Sequence, residues 1–531
     1  MSDYDVIVIG AGHNGLVCAG YLAKAGYRVC VVERRPVVGG AIATEEIVPG
    51  FKFDLGGSAH FLINLTPIVS ELELAKHGLD YLELDPIIFA PYLDQTHVMM
   101  WRSVDQTCES IAAISPEDAE RYRQFIRRWQ PLGERLLETL LGPPSPFNLA
   151  RFLAREVLQP PRARLDDVRS LLGSYGQLLR QSFVSPKLQG MIGWRAAQAP
   201  PNEPRSALFA MWHPMYHVSG MSRPRGGSGM LAQALVNMVQ AHSGTVVTSC
   251  PVRRILVSGG RAAGVELANG QRLTARKTVA GTHIVTTTSL LGAAAPAAMR
   301  KAISRAKLGN GLGLYTCYAL KELPEYTALP GRSGPQHIAL QFVCPDLPYL
   351  ERAHADSLRG EPAAEPALCA MTFSAADPSL APPGQHVLLL WGQFYPYTLA
   401  GGATWDVVGP RAADNMLDTL ARYAPNVKDA VIDRLVETPL DFERTLGLLH
   451  GNIMHLEMSV DQMFMFRPTP SLSQYRGPVR DLYLTGASTH PGGGIMGAAG
   501  RNAAGVVLGD LSRRPWFGGG RTTHAPKTTS V

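Results

Sequence analysis

Near the start of the chain, Tyr4-Asp5-Val6-Ile7-Val8-Ile9 runs directly into Gly10-Ala11-Gly12-His13-Asn14-Gly15, and no other feature restricts the fold as tightly. The apolar run reads as a strand buried in a parallel sheet, and the residues after the glycines place Leu16, Ala19, Gly20 and Ala23 on one helical face. A strand, a glycine-rich turn and a helix in this order predict a Rossmann-type dinucleotide site. Gly10 permits the tight bend, Gly12 lets the backbone approach a pyrophosphate, and Gly15 lets helix and strand pack closely. The helix N-terminus then offers free N–H groups to the phosphates. His13 lies inside the turn, where its backbone is expected to matter, and Asn14 belongs to the same cofactor set. A second strand, Arg28 to Val32, ends in Glu33, eighteen residues after Gly15. An acid there accepts hydrogen bonds from a ribose 2′-OH and repels a 2′-phosphate, which argues against NADP despite the adjacent Arg34 and Arg35. A second glycine-rich segment, Thr485-Gly486-Ala487-Ser488-Thr489-His490-Pro491-Gly492-Gly493-Gly494, lies near the other end and reads as the other half of one cofactor site.

A length of 531 residues exceeds what one hydrophobic core serves, so at least two domains are expected. With 46% apolar and 18% charged residues the chain is globular. No apolar run spans a bilayer; the stretch from Val387 to Leu399 is broken by Gly392, Gln393 and Pro396. Asp3 and Asp5 stand where a secretory leader carries basic residues, which predicts a cytoplasmic protein. Seven cysteines are scattered, with no CxxC or CxxxxC pair, so neither a metal site nor a redox disulfide is expected. A net charge of +6 without an arginine cluster interleaved with aromatics argues against nucleic acid.

The order of patterns predicts an α/β fold with a discontinuous cofactor domain in three segments, 1–60, 222–283 and 478–515, and an α+β substrate domain of 61–221 and 284–477. Residues 516–531, rich in Gly and Thr, are expected to be disordered. Helical patterns dominate 61–221, including a helix opened by Ser115 as N-cap with Pro116 at its first position. Arg223-Pro224-Arg225-Gly226-Gly227-Ser228-Gly229 forms a second glycine-rich turn leading to a helix. Strands are expected at 245–248, 252–257, 264–267 and 278–280, then at 314–319, 367–373 and 387–391, and finally at 481–485.

FAD and NAD share the first fingerprint. Gly39-Gly40, followed by Ala41-Ile42-Ala43-Thr44, resembles the glycine doublet of FAD-binding amine oxidase and carotenoid desaturase relatives. It lacks the flanking arginines of amine oxidases, having Val37 and Ala41 instead, and so leans toward the carotenoid branch. Together with Gly57-Ser58-Ala59-His60, Arg223 to Gly229, Ala381 to His386, Gly451 to Ser459, Asp461-Gln462-Met463 and Leu482 to Asn502, these residues resemble the carotenoid desaturase-type flavoprotein oxidoreductases over essentially the whole chain, an amine oxidase/phytoene desaturase-like fold. The strongest likeness is to CrtO-type β-carotene ketolases. Proteins named for a pyridine nucleotide-disulfide oxidoreductase domain share much of it. The resemblance implies FAD, a long polyene substrate and a keto group installed at ring carbon 4. The cofactor contacts it implies are Gly10, Gly12, His13, Asn14, Gly15, Glu33, Arg34, Gly39, Gly40, Val252, Gly486, Gly492, Gly493, Gly494, Ile495 and Met496. Ala487 stands where many flavoproteins carry an aspartate for the ribityl chain, which points to backbone N–H groups across Gly492 to Gly497 instead. His490 either faces the flavin ring or is bonded within its turn.

Oxidising an allylic CH₂ requires no strong base if hydride passes to the flavin and leaves a delocalised cation. One carboxylate roughly 4 Å from that cation is worth about 4 kcal/mol at an effective dielectric of 20. Glu457 and Asp461, beside His455 in a Met- and Phe-rich segment, are the candidates; His455 or Glu457 would take a proton from attacking water. Their alternative is a solvent-facing turn. His60 and His283 end expected cofactor-domain strands and are weaker candidates. Trp212 to His217 and Phe394 to Tyr397 either line an apolar tunnel or pack as core. Phe147 to Leu158 is a basic amphipathic stretch suited to a membrane surface or to packing on the core. The sequence therefore predicts a cytoplasmic, peripherally membrane-associated β-carotene ketolase whose electron acceptor is oxygen or a quinone. A carotenoid desaturase or isomerase, or an FAD-bound protein with a partner-binding role, is the alternative.

Overall fold

The structure is a computed structural model, and it describes residues 2–145, 161–197, 199–210, 212–309 and 313–512. The amphipathic stretch Phe147 to Leu158 and the expected tail at 516–531 lie outside the described residues. The chain opens with β1 (Tyr4–Ile9), α1 (His13–Lys24) and β2 (Val29–Val32). After a long excursion come α2 (Gly229–Ala241), β3 (Thr245–Val247) and β4 (Arg272–Ala280). The last pieces are β5 (Leu482–Leu484) and α3 (Ala498–Ser512).

These strands form one parallel sheet in the order β3, β2, β1, β4, β5. Thus strands from residues 4–32, 245–280 and 482–484 lie side by side. Val6, Ile7 and Val8 are wholly buried, as the unbroken apolar run requires of a strand covered on both faces. Helices α1, α2 and α3 pack together on one face, with Leu16, Ala19, Leu235 and Val507 in a common core. At its N-terminal end β4 continues into an antiparallel meander with strands Arg261–Leu267 and Val252–Ser258. The expected strand at 278–280 is thus the end of a nine-residue one.

A second sheet runs in the order 431–437, 313–320, 386–393, 368–371, 340–343, 88–91, 97–100 and is antiparallel except where 340–341 meets 88–89. Its central strands, Gly313–Leu320 and His386–Gln393, match the expected runs with one or two residues added at each end. The region 61–221 contributes more strand than its helical patterns suggest. Ile88–Pro91 and His97–Met100 join the second sheet, and Tyr81–Leu84 pairs with Met221–Pro224. Four-residue strands carry too little period-2 signal to stand out beside long helices such as Pro116–Leu140, whose N-cap Ser115 accepts a bond from the Asp118 N–H.

A buried ion pair ties the hairpin of strands Thr44–Val48 and Phe51–Asp54 to the strand Met221–Pro224. Arg223 Nη1 donates to Asp54 Oδ2 at 2.5 Å and to the Ser58 carbonyl at 3.2 Å, and the guanidinium lies over the Phe373 ring. Asp54 Oδ1 accepts from Thr44 Oγ1 and from the Ser228 N–H. One carboxylate thus fixes the hairpin 44–54 and the Arg223 to Gly229 turn, whose role is structural. Breaking a buried pair strands its partner's charge at a cost of about 3–5 kcal/mol. Asp54→Asn is therefore expected to lower unfolding stability by roughly that amount, read by urea denaturation, whereas Asp54→Leu combined with Arg223→Met is expected to lose less.

Candidate functional site

Two cavities meet between the sheets. The first is a groove across the C-terminal ends of β1, β2 and β4, lined by Gly10, Gly12 to Gly15, Glu33 to Arg35, Gly40, Val252, His283, His455 and Gly486. The groove exists because the backbone turns sharply at Gly10, φ +94°, and because a Cβ on Gly15 would sit 2.3 Å from the Gly10 carbonyl. Helix α1 starts at His13 with no side chain capping it, so its first N–H groups stay free for phosphate. Glu33 is 8% exposed; its Oε2 accepts from the Ala11 N–H at 2.8 Å and its Oε1 from the Arg35 N–H at 2.9 Å. Each oxygen keeps a lone pair for a ribose hydroxyl. Free phosphate-facing N–H groups, a fixed acid at the ribose position and room for close backbone approach together fit a dinucleotide.

The second cavity, about 1280 Å³ of empty space with part of it open to solvent, is a chamber walled by the second sheet and the helices covering it. Gly56 to Ala59, Phe61, Trp194, Trp212, Tyr216, Tyr315, Met371 and Trp391 line it, and Gly493, Gly494, Ile495 and Met496 form the side toward the groove. Ile453 borders both cavities. A Cβ on Gly57 would lie 2.6 Å from Ile495 Cδ1, so the two ends of the chain meet at this junction at van der Waals distance. A dinucleotide held in the groove would present its far end to the chamber at this junction. Among the described residues the lining contains no carboxylate, histidine or lysine, and Arg195 is its single charged side chain.

Beyond the chamber a vestibule is lined by Glu203, Arg205, Lys307, His354, Phe394, Glu457 and Asp461, and it shares Phe209, Met454 and Met458 with the chamber wall. Here the structure places the expected catalytic residues in separate surroundings. Glu457 and Asp461 pair with Lys307 at 3.9 Å and 3.1 Å, with side chains 45% and 56% exposed. Water and salt screen both from a charge in the chamber. The expected solvent-facing turn describes them better. His60 is also removed from the set: it is fully buried outside either cavity lining, bonded to Tyr81 Oη at 2.8 Å and Ser228 Oγ at 2.6 Å. Burial first, then the Arg223 charge, pushes its imidazole down to about 3.

His455 faces the groove, not the chamber. Its ring stacks on His283 at 4.9 Å, and its Nδ1 lies 3.0 Å from Ser488 Oγ. Because Ser488 Oγ accepts from the Ile284 N–H, its own hydrogen is free to go to His455. His283 Nδ1 accepts from the Val285 N–H, leaving Nε2–H to donate to the His455 carbonyl at 2.9 Å. Burial holds His455 well below the ordinary imidazole range and His283 at about 4. His13, in the first turn, is also pushed down to about 4 by burial, opposed by a contact with the Gly494 backbone. These groove imidazoles are therefore neutral near pH 7.

Of the remaining cofactor candidates, Gly39 and Gly492 border neither cavity. Gly39 donates to the Ala11 carbonyl behind the first turn, and Gly492 packs beside Met458 and Arg467. His490 is buried beside Phe464, its ring outside both cavity linings. Trp212 and Tyr216 reach the chamber, while His213 and His217 both bond to Tyr122 Oη. Phe394 reaches only the vestibule. Arg195, Tyr315 and Trp391 were not foreseen: they come from different elements, and no local motif marks them. All seven cysteines are free thiols in the structure. Among the described residues no group of side chains suits a metal ion, and no helix is long and apolar enough to cross a membrane.

Comparison with known proteins matches residues 15–393 to the family described as flavin containing amine oxidoreductase. The chain is 36% identical to pyridine nucleotide-disulfide oxidoreductase domain-containing protein 2 of Rattus norvegicus, covering 96% of this chain and 94% of that one. It is 29% identical to a subunit of limonene dehydrogenase from Castellaniella defragrans, over 97% and 96% of the two chains. Against a lycopene-forming phytoene desaturase of Pantoea ananas the identity is 28%, over 95% and 99%. A solved oxidoreductase from Methanosarcina mazei shares the fold, with a TM-score of 0.62 at 18% identity over 95% of this chain and all of that one.

Between their unfolded value of 6.5 and their folded value of about 4, His13 and His283 bind more protons in the unfolded chain. The stability they contribute is complete above pH 6.5 and is lost as pH falls through about 4. Melting temperature and flavin retention are expected to fall together over that window, followed by flavin fluorescence during thermal ramps at stepped pH.

Proposed function

This chain belongs to the flavin containing amine oxidoreductase family and is an FAD-dependent oxidoreductase; we propose that it desaturates an elongated, largely apolar substrate. The observation carrying this reading is the chamber lining, which is aromatic, aliphatic and methionine-rich, with Arg195 as its one charge among the described residues. Bound in the groove, FAD supplies the two-electron acceptor. Met371, Met454, Met458, Met463 and Met496 give the chamber a soft wall that adapts to the shape of an apolar chain. Phe61, Trp194, Trp391 and Tyr315 hold that chain flat against the side formed by Gly493 to Met496. In the reaction, one substrate carbon loses hydride and its neighbour loses a proton to water through the vestibule, leaving a carbon–carbon double bond.

Three alternatives fit less well. A protonated amine would meet Arg195 and no carboxylate. Ketolation of β-carotene, the expectation from sequence resemblance, needs an oxygen atom from water and a second two-electron oxidation at the same carbon, whereas desaturation needs only a proton acceptor, which vestibule water supplies. Thiol chemistry of the kind named in the rat relative would require a cysteine pair, and Cys369 is the only cysteine in the wall. Two relatives, the limonene dehydrogenase and the phytoene desaturase, carry names that denote dehydrogenation of hydrocarbons.

The test is anaerobic mixing of the flavin-loaded protein with phytoene, β-carotene and limonene in vesicles. Flavin bleaching with a product that has gained a double bond and no oxygen is expected. A ketone product would restore the ketolase, and absence of bleaching with every apolar substrate would favour a partner-binding role. Glu457→Gln and Asp461→Asn are expected to change the bleaching rate by less than about fivefold, the range of exposed ion pairs.

A further inference from the structure

Arg195, half-buried at the chamber wall, differs from the two fully buried arginines. Arg223 faces Asp54, and Arg467 is surrounded by carbonyls. Arg195, in the last turn of helix Pro186–Ala196, extends from the chamber wall with its Nε donating to Tyr216 Oη. Its guanidinium carbon lies 5.4 Å from the Phe61 ring centre and 5.2 Å from that of Tyr216. Among the described residues no carboxylate pairs with it, and neither Nη group makes a hydrogen bond. Beside it in sequence, Trp194 Nε1 is a buried donor without an acceptor. Two further hydroxyls of this wall, Ser58 Oγ and Tyr315 Oη, are bonded to each other.

A chamber wall with donors to spare, a planar cationic fork and no anion is incomplete. A cation in apolar surroundings is costly unless it is paired, and the guanidinium fork matches a carboxylate in two parallel bonds. The stacking of Phe61 on Tyr216 at 4.3 Å holds the fork in a fixed direction, so little side-chain entropy remains to be lost on binding. We propose that the substrate of this chamber is an apolar chain bearing one carboxylate, anchored by Arg195. The proposal rests on the desaturase reading above and narrows it: the carboxylate sets which carbons of the chain come to the groove side of the chamber.

The experiment uses the flavin-loaded protein in its oxidised state and follows the visible flavin spectrum during titration with oleate and, separately, with oleyl alcohol. Oleate is expected to bind roughly 10- to 100-fold more tightly, the range for a hydrogen-bonded charge. Arg195→Met is expected to abolish that preference at unchanged flavin content, and Arg195→Lys to retain part of it. Equal binding of acid and alcohol, a preference that survives in Arg195→Met, or tighter binding of oleyl phosphate than of oleate would overturn the proposal. So would a shifted flavin potential in Arg195→Met with an unchanged acid preference, which would place Arg195 against the cofactor. Turnover is read separately. Carboxylate preference without flavin reduction by any chain would sink desaturation and leave the anchor, while reduction by hydrocarbons without carboxylate preference would do the reverse.

Discussion

Arg467 is a buried cation with no carboxylate, and both cavities depend on what it holds. Its Nη2 donates to the carbonyls of Met454 at 2.6 Å, Leu456 at 3.3 Å and Ala487 at 2.8 Å; its Nη1 donates to those of Glu457 and Gln462, and its Nε again to Ala487. Carbonyl dipoles replace the counter-ion, at a cost visible in the guanidinium being pushed down to about 9 by burial. The irregular segment 454–463 has few ladder bonds of its own, so this one side chain fixes it against the turn at Ala487. From that segment Met454, Met458 and Met463 face the chamber and His455 faces the groove.

The two cavities divide the chemistry between them. The groove holds polar groups: imidazoles kept uncharged by burial, free helix N–H donors, the acid Glu33 and the adjacent Arg34 and Arg35. The contacts from the Ile284 N–H to Ser488 and between Ser488 and His455 tie the start of helix Ile284–Leu291 to the distal glycine turn. The chamber, in contrast, offers apolar area with almost no polar choice. Hydride removal asks mainly for orientation and exclusion of water, and an apolar wall supplies both. The few charges near the substrate therefore decide selectivity more than rate.

Local features were legible in the sequence because contiguous residues make them. The β1–turn–α1 unit, Glu33 at the end of β2, the Ser115 cap and the strands around Leu314 and Val387 all follow from short-range pattern. The catalytic set was not legible. Met454, His455 and Glu457 are neighbours in sequence but face the chamber, the groove and the vestibule respectively, because their backbone is irregular and has no period from which a face can be read. Asp54 and Arg223, 169 residues apart, carry no mutual signal. Arg195 resembles any arginine near a helix end until Phe61 and Tyr216 are folded around it.

The amino-acid sequence by itself determined the dinucleotide turn and the acid that closes β2 beside it. Each of these rests on backbone geometry or spacing within a few tens of residues. The tertiary structure alone decided that Glu457 and Asp461 face solvent, that His60 is sealed between Tyr81 and Ser228 and that Arg195, among the described residues, meets two aromatic rings and no carboxylate in an apolar chamber. Whether a charge is exposed, paired or stranded depends on which distant segments pack around it, and that packing is a property of the folded whole.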